Sequence, residues 1–242
     1  MTPPRRHGVA RTLSKLGICS RTEAAKRVRA GRVKLNGRVV LDPEHPVVQG
    51  RDRLELDGSA VEVERCYVML NKPRGLVTTV SDEKGRDTVY RCLEDAELPW
   101  LAPVGRLDKA SEGLLLLCND PEWAASITDP AVGPDKTYHV QVDTLPDAEL
   151  LNSMRLGLDA GGGHLHAKAV RLLRAGERNS WLEVVLDEGR NRHIRRLLEA
   201  HGVGVLRLVR VAVGGLQLGD VPKGGWRRLD AGEVAGLLPA GR

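Results

Sequence analysis

The sequence predicts an α+β fold in two parts, on three observations. Lysines and arginines crowd the first forty residues, eleven against the single acid Glu23, while the whole chain carries only +5. Two Asx-Gly turns, Asn36-Gly37 and Asp57-Gly58, punctuate residues 33–63. From residue 66 onward, short apolar runs often follow one another directly, and strands outnumber helices. A small basic unit of helices and hairpins over residues 8–65 therefore precedes a larger, mostly antiparallel mixed domain over residues 66–242.

Taken in order, Val9, Leu13 and Leu16 fall at helical spacing, and Gly17 ends that helix. Ser20 followed by Glu23 forms a capping box, opening a second helix that runs to Ala30 before Gly31. Its outward face carries Arg21, Lys26, Arg27 and Arg29. Val33–Val40 reads as a hairpin, because Asn36-Gly37 favours the positive φ angles of a type I′ turn. Asp57-Gly58 predicts a second such turn between Arg53–Leu56 and Ala60–Val63. In the larger part the expected strands are Tyr67–Asn71, Gly75–Val80, Leu114–Cys118, Thr137–Val142, Ala167–Leu173, Trp181–Asp187 and Val205–Val213. The expected helices are Thr88–Asp95, Pro121–Thr128 behind Asp120 as cap, Asp147–Gly157, Asn191–His201 and Gly232–Leu237. The glycines from Ala160 to Gly163 suggest a hairpin loop.

The composition narrows the function classes. The longest apolar run, Leu114–Cys118, is far short of a membrane span, and no apolar stretch follows the arginines of the N-terminus. Cys19, Cys66, Cys92 and Cys118 lie far apart with no CxxC pair, which suits a reducing cytosol and argues against a zinc site or a disulfide framework. His164 and His166 sit beside glycines, as loop residues rather than a metal site. A cationic head on a mildly acidic body is the footprint of a polyanion-binding appendage, and here the cations lie in a patterned, foldable segment.

Four segments place polar residues where a core has no use for them. Asn71-Lys-Pro-Arg-Gly75 ends a strand. Gly105-Arg-Leu-Asp108, followed by Ser111-Glu-Gly113-Leu-Leu-Leu-Leu, sets a lone carboxylate on a loop before a buried strand. Lys136-Thr-Tyr138-His-Val puts a cation and a ring on one side of a strand. Glu188-Gly-Arg190-Asn-Arg192-His-Ile-Arg195-Arg196 packs four arginines into a turn and the start of a helix. Taken singly, each is as well explained by a surface ion pair, β propensity or a solvated helix face.

Their order and spacing together resemble a pseudouridine synthase, of the branch that modifies bacterial ribosomal RNA and carries an N-terminal S-four RNA-binding domain. The likeness runs over about residues 8–238. Residues Ser20–Gly37 match the S-four, or alpha-L, domain, in which the basic helix face and following turn contact phosphates of structured RNA. That assignment makes Arg21, Lys26, Arg27, Arg29, Arg32 and Lys34 phosphate-binding residues. Arg190 and Arg192 are assigned to RNA by the fourth motif.

The resemblance implies isomerisation of uridine to its carbon-linked form, with no redox or hydrolytic step and hence no metal or organic cofactor. It carries the indispensable aspartate onto Asp108 and its arginine partner, expected as a bidentate ion pair, onto Arg195. Tyr138 is implied to stack on the flipped uracil, and Arg106 to fill the gap in the RNA or hold a flanking phosphate. Asn71 and Lys72 brace the loop. Ser111 stands where Thr is usual, Leu197 where Met is, and His193 where Gln is, which leaves the hydrogen bonding there open. Arg190-Asn191-Arg192 looks more like members acting on the large subunit. The alternatives are 16S ribosomal RNA or a non-catalytic assembly factor. A monomeric cytoplasmic protein partnered by structured ribosomal RNA, with no membrane association, is expected.

Overall fold

In the computed structural model, structure is described for residues 6–48, 51–61, 64–80, 82, 84–159 and 163–239. These form two compact units. The first takes the described residues up to Tyr67 with 97–102 and 118–122; the second takes 68–96, 103–117 and the described residues from 123 onward. Among the described residues no helix is long and apolar enough to cross a membrane.

The first unit runs β1 (Arg6–Gly8), α1 (Val9–Lys15), α2 (Arg21–Arg29), β2 (Val33–Leu35), β3 (Arg38–Val39), β4 (Pro46–Val48), β5 (Leu54–Leu56) and β6 (Ser59–Ala60). Strands β3-β2-β5-β6 form one antiparallel sheet, and β1 pairs with β4. Both predicted turns form: Asn36 and Gly37 have φ of 51° and 82°, Asp57 and Gly58 of 54° and 83°, the two positive values that a type I′ turn requires. Val9, Leu13, Val28, Val33 and Leu54 meet in one core. The capping box is half formed. Ser20 accepts from Glu23 N at 3.1 Å, but the Glu23 carboxylate turns to Arg27 Nε at 3.0 Å. An i,i+4 ion pair competes successfully for the side chain that the box needs.

The following elements, which belong to the second unit except for Tyr67, Ala102, Cys118 and residues 121–122 at their ends, are β7 (Tyr67–Lys72), a 3₁₀ turn (Val89–Leu93), β8 (Ala102–Val104), β9 (Glu112–Cys118), α3 (Pro121–Thr128), β10 (Lys136–Val142), α4 (Ala148–Leu156), β11 (Leu158–Asp159), β12 (His164–Leu165), β13 (Ala169–Ala175), β14 (Ser180–Leu186), α5 (His193–Ala200), β15 (Val205–Val213), β16 (Leu216–Gln217), β17 (Trp226–Arg228) and α6 (Ala231–Gly236). A nine-stranded sheet has the order β13-β14-β10-β15-β9-β7-β17, with β16 on β15 and β8 on β9. Its pairs with β10, β13, β14, β16 and β17 are antiparallel, whereas β15 and β9 run parallel. Strand β9 is buried at every position, which explains its unbroken apolar run. Strands β10, β14 and β15 alternate, and Tyr138, Val184 and Arg210 lie side by side on the shared buried face.

Several expectations need correction. Gly75–Val80 is not a strand: Val77 makes a single bridge to Thr88, and Gly75 N donates instead to Lys109 O at 2.8 Å. The segment Thr88–Asp95 is the 3₁₀ turn rather than an α-helix. The helix expected from Asn191 starts at His193, because Arg192 takes a left-handed conformation at φ 50°. Strands β1, β4, β8, β11, β12, β16 and β17 span two or three residues, too few for a period-2 pattern to register. The proposed 160–163 loop lies largely outside the described residues, between the antiparallel β11 and β12.

Candidate active site

The loop joining β8 to β9 carries Asp108, and its backbone is fixed from several sides. Lys72, at the end of β7, is fully buried and donates to Ser111 O at 2.9 Å, Pro73 O at 3.1 Å and Asp108 O at 3.2 Å. Burial pushes the Lys72 ammonium down to about 8, against the opposing pull of Asp108. Thr78 Oγ1 donates to Leu107 O at 2.8 Å, and Ser111 N to Asp108 O at 3.0 Å. Asn71 braces the same strand end through Val221 O at 2.7 Å. Immediately after the loop, Gly113 has φ 99° and a Cβ there would collide with the backbone of Arg210, so only glycine lets β9 lie beside β15.

The fixed loop opens into a cavity of about 540 Å³, a volume suited to one nucleoside. Asp108, Arg106, Tyr138, Arg190 and Arg192 all line it. Asp108 is half-buried, and its carboxylate has no hydrogen bond or ion pair among the described residues. Tyr138 is 8% exposed and lines the cavity. Arg106 is exposed at the rim.

Arg195 departs from expectation. It makes no bidentate pair with Asp108. Its Nη2 donates to Ala110 O at 3.2 Å and its Nη1 to Val205 O at 3.4 Å, while Nε is buried without a hydrogen-bond partner among the described residues. The guanidinium grips the backbone of the loop that bears Asp108 rather than the carboxylate itself. Burial and the neighbouring Arg192 lower its pKa, and Asp108 is close enough to oppose them. Its charge thus acts on Asp108 at a distance while its hydrogen bonds hold the loop.

The turn before α5 supplies the remaining cations. Arg190 Nε pairs with Glu188 at 2.8 Å, and Arg192 is exposed. His193 is 3% exposed, and its Nδ1 lies 3.7 Å from Glu188 Oε1. Burial holds its pKa below the ordinary imidazole value.

Among the cavity residues that sequence reasoning did not single out as site residues are two cations, Lys136 and Arg210. Lys136 was visible in its motif. Arg210 carried a signal that could have been used: it is the one charged residue on the buried face of β15, between Leu208 and Ala212. Glu112, 3% exposed, is neutralised by Arg207 at 3.1 Å and Lys223 at 2.6 Å, and ties β9 to β15.

In the first unit the six predicted phosphate ligands divide in two. Arg21 pairs with Glu44 at 3.1 Å, Arg27 with Glu23 at 3.0 Å, and Arg32 with Asp57 at 2.6 and 2.8 Å. Lys26, Arg29 and Lys34 have no acidic partner among the described residues. The basic face is therefore half self-compensated, although exposed pairs of this kind are weak and exchange readily for phosphate.

Residues 66–200 match the family model described as RNA pseudouridylate synthase, and residues 9–52 match the S4 domain model. The chain is 37% identical to an uncharacterized RNA pseudouridine synthase from Aquifex aeolicus, over 94% of this chain and 92% of that protein. It is 35% identical to ribosomal large subunit pseudouridine synthase B from Bacillus subtilis, over 94% and 93%. Among solved structures, a crystal structure of a pseudouridylate synthase superposes with a TM-score of 0.68 at 26% identity, covering 96% of this chain and all of that one.

Proposed function

The chain belongs to the RNA pseudouridylate synthase family and carries an S-four RNA-binding domain, and on that premise we propose that it isomerises a specific uridine of large-subunit ribosomal RNA to pseudouridine, with Asp108 as its essential carboxylate. The observation that carries this reading is the Asp108 carboxylate, without an ion pair among the described residues, held on a pinned loop at the wall of a nucleoside-sized cavity that Tyr138 also lines. An aspartate without an ion-pair partner keeps its lone pairs free for the sugar or base of a nucleotide.

In this reading the target nucleotide is drawn out of its stack into the cavity, its base lies against Tyr138, and Arg106 at the rim takes the vacated position or a flanking phosphate. Arg195 holds the Asp108 loop through Ala110 and keeps a positive charge near the carboxylate. Arg190 and Arg192 contact the RNA backbone around the site. The first unit anchors structured RNA through Lys26, Arg29 and Lys34, with Arg21, Arg27 and Arg32 exchanging internal acids for phosphates. The Bacillus subtilis relative and the Arg190-Asn191-Arg192 triplet favour the large subunit. The protein acts as a cytoplasmic monomer.

Pseudouridine mapping of both ribosomal RNAs, in cells lacking this protein and complemented with wild type or Asp108→Ala, tests the proposal. One uridine of 23S ribosomal RNA should lose its mark and regain it only with wild type. A lost mark in 16S ribosomal RNA would reassign the subunit; no lost mark in either would favour an RNA-binding assembly factor.

A further inference from the structure

Arg210 is a buried cation that the reading above leaves unused. It is 6% exposed and lies on β15 directly opposite Tyr138 of β10. Its Nε donates to Leu114 O at 2.6 Å, which fixes the guanidinium plane, and its two terminal nitrogens have no partner among the described residues. The side chain lines the cavity. Of the carboxylates on the same wall, Glu188 is committed to Arg190, and Asp108 makes no ion pair with Arg210. Half-buried Lys136 adds a second cation on the same strand face as Tyr138, and its burial, with Arg210 nearby, lowers its pKa. A guanidinium removed from water without a carboxylate is costly unless an acceptor reaches it, and the cavity is where one can.

The register fixes which acceptor is in reach. Side chains directly opposite across an antiparallel pair stand about 5 Å apart at Cβ. A ring stacked on Tyr138 presents its edge, not its face, to the longer side chain beside that tyrosine. Resting on the uridine-isomerising reading of this cavity, we propose that Arg210 is a base-positioning residue whose terminal nitrogens donate to a carbonyl oxygen of the uracil stacked on Tyr138. There it also stabilises the charge the base acquires during the reaction. When the N1–C1′ bond breaks, its electron pair leaves with the base and spreads onto the ring oxygens. Once the base has turned, C5 bonds to C1′, and the proton lost from C5 is balanced by one gained at N1. A donor fixed before the reaction stabilises that transient anion more than the neutral base.

The test uses the full-length protein and an RNA fragment spanning the uridine assigned by mapping, with uridine, 2-thiouridine or 4-thiouridine at that position. Single-turnover rates and RNA dissociation constants are measured for wild type, Arg210→Met and Arg210→Lys, with thermal melts to establish folding. Arg210→Met should slow the single turnover about ten- to a hundredfold, with RNA affinity changed less than about twofold, and Arg210→Lys should recover part of the rate. One of the two thio substitutions should slow wild type and leave Arg210→Met indifferent, because sulfur accepts the same hydrogen bond weakly. If Arg210 only tethered β15 to Leu114, thio substitution would slow all three proteins by one factor, and that result overturns the proposal. Should Arg210→Met fail to fold, the same comparison between wild type and Arg210→Lys decides it. No pseudouridine from wild type on the unsubstituted fragment would overturn the underlying reading, and the Arg210 role with it.

Discussion

The ammonium of Lys72 donates to the backbone carbonyl of Asp108 across 3.2 Å, so the end of β7 fixes the loop that carries the carboxylate. Two further carbonyls, of Pro73 and Ser111, complete its coordination. Lys72→Met fills the same volume but leaves three acceptors without a donor. It should destabilise the protein by about 2–5 kcal/mol and slow turnover, as urea unfolding and single-turnover assays would read.

Lys72 also makes stability depend on alkaline pH. Its folded value, about 8, lies below the roughly 10.4 of an unfolded lysine. Between these limits the unfolded chain binds the extra proton, so stability rises as pH climbs through that window. Urea midpoints at increasing pH should therefore rise in wild type relative to Lys72→Met. Parallel profiles would mean that Lys72 keeps an ordinary pKa despite its burial.

His193 imposes the converse sensitivity in acid. Burial holds the imidazole neutral below its ordinary value, with Glu188 pulling the other way and Arg190 reinforcing the shift. The unfolded chain takes up a proton near pH ~6.5 where the folded one does not, so stability is lost as pH falls through that value. His193→Gln removes the titration. Its urea midpoint should overtake that of wild type as pH drops towards about 5, and a constant gap across that range would clear His193 of the effect.

What could be read from the sequence, and what could not, follows from the range of the forces involved. Asn36-Gly37 and Asp57-Gly58 were legible because a type I′ turn is decided by two residues. The Asp108 motif was legible because its loop is short and contiguous. Gly75–Val80 was misread as a strand since its backbone groups go to Lys109 and Asp87, partners that no local pattern names. The expected Arg195–Asp108 ion pair failed for a similar reason: Ala110 and Val205 claim the guanidinium. Arg210 reached the cavity only through the register of β15 against β10, a relationship between residues 72 positions apart.

The division of the basic face in the first unit predicts unequal effects on RNA binding. Lys26, Arg29 and Lys34 have no acid to leave, whereas Arg21, Arg27 and Arg32 must first part from Glu44, Glu23 and Asp57. Replacing the first trio by alanine should lower the slope of log affinity against log salt by about 0.7–0.9 for each phosphate no longer neutralised. Replacing the second trio should change it less, since each alanine also frees an acid that the bound state had already displaced. Filter binding over a salt series separates the two, and equal slopes for both variants would show that the internal pairs do not persist in solution.

Arg195 is the position where geometry and charge can be told apart. Its two backbone hydrogen bonds need the forked guanidinium, while its influence on Asp108 needs only a positive charge nearby. Arg195→Lys keeps the charge and cannot span both Ala110 and Val205; Arg195→Ala loses both functions. If loop placement dominates, the two variants should slow single turnover by a similar factor, about a hundredfold, with RNA affinity little changed. If charge dominates, the lysine variant should recover at least about tenfold over alanine. The backbone hydrogen bonds favour the first outcome, because a carboxylate displaced by even an ångström loses its alignment with the nucleoside whatever charge stands behind it. A wild-type rate in Arg195→Ala would remove the residue from the site altogether.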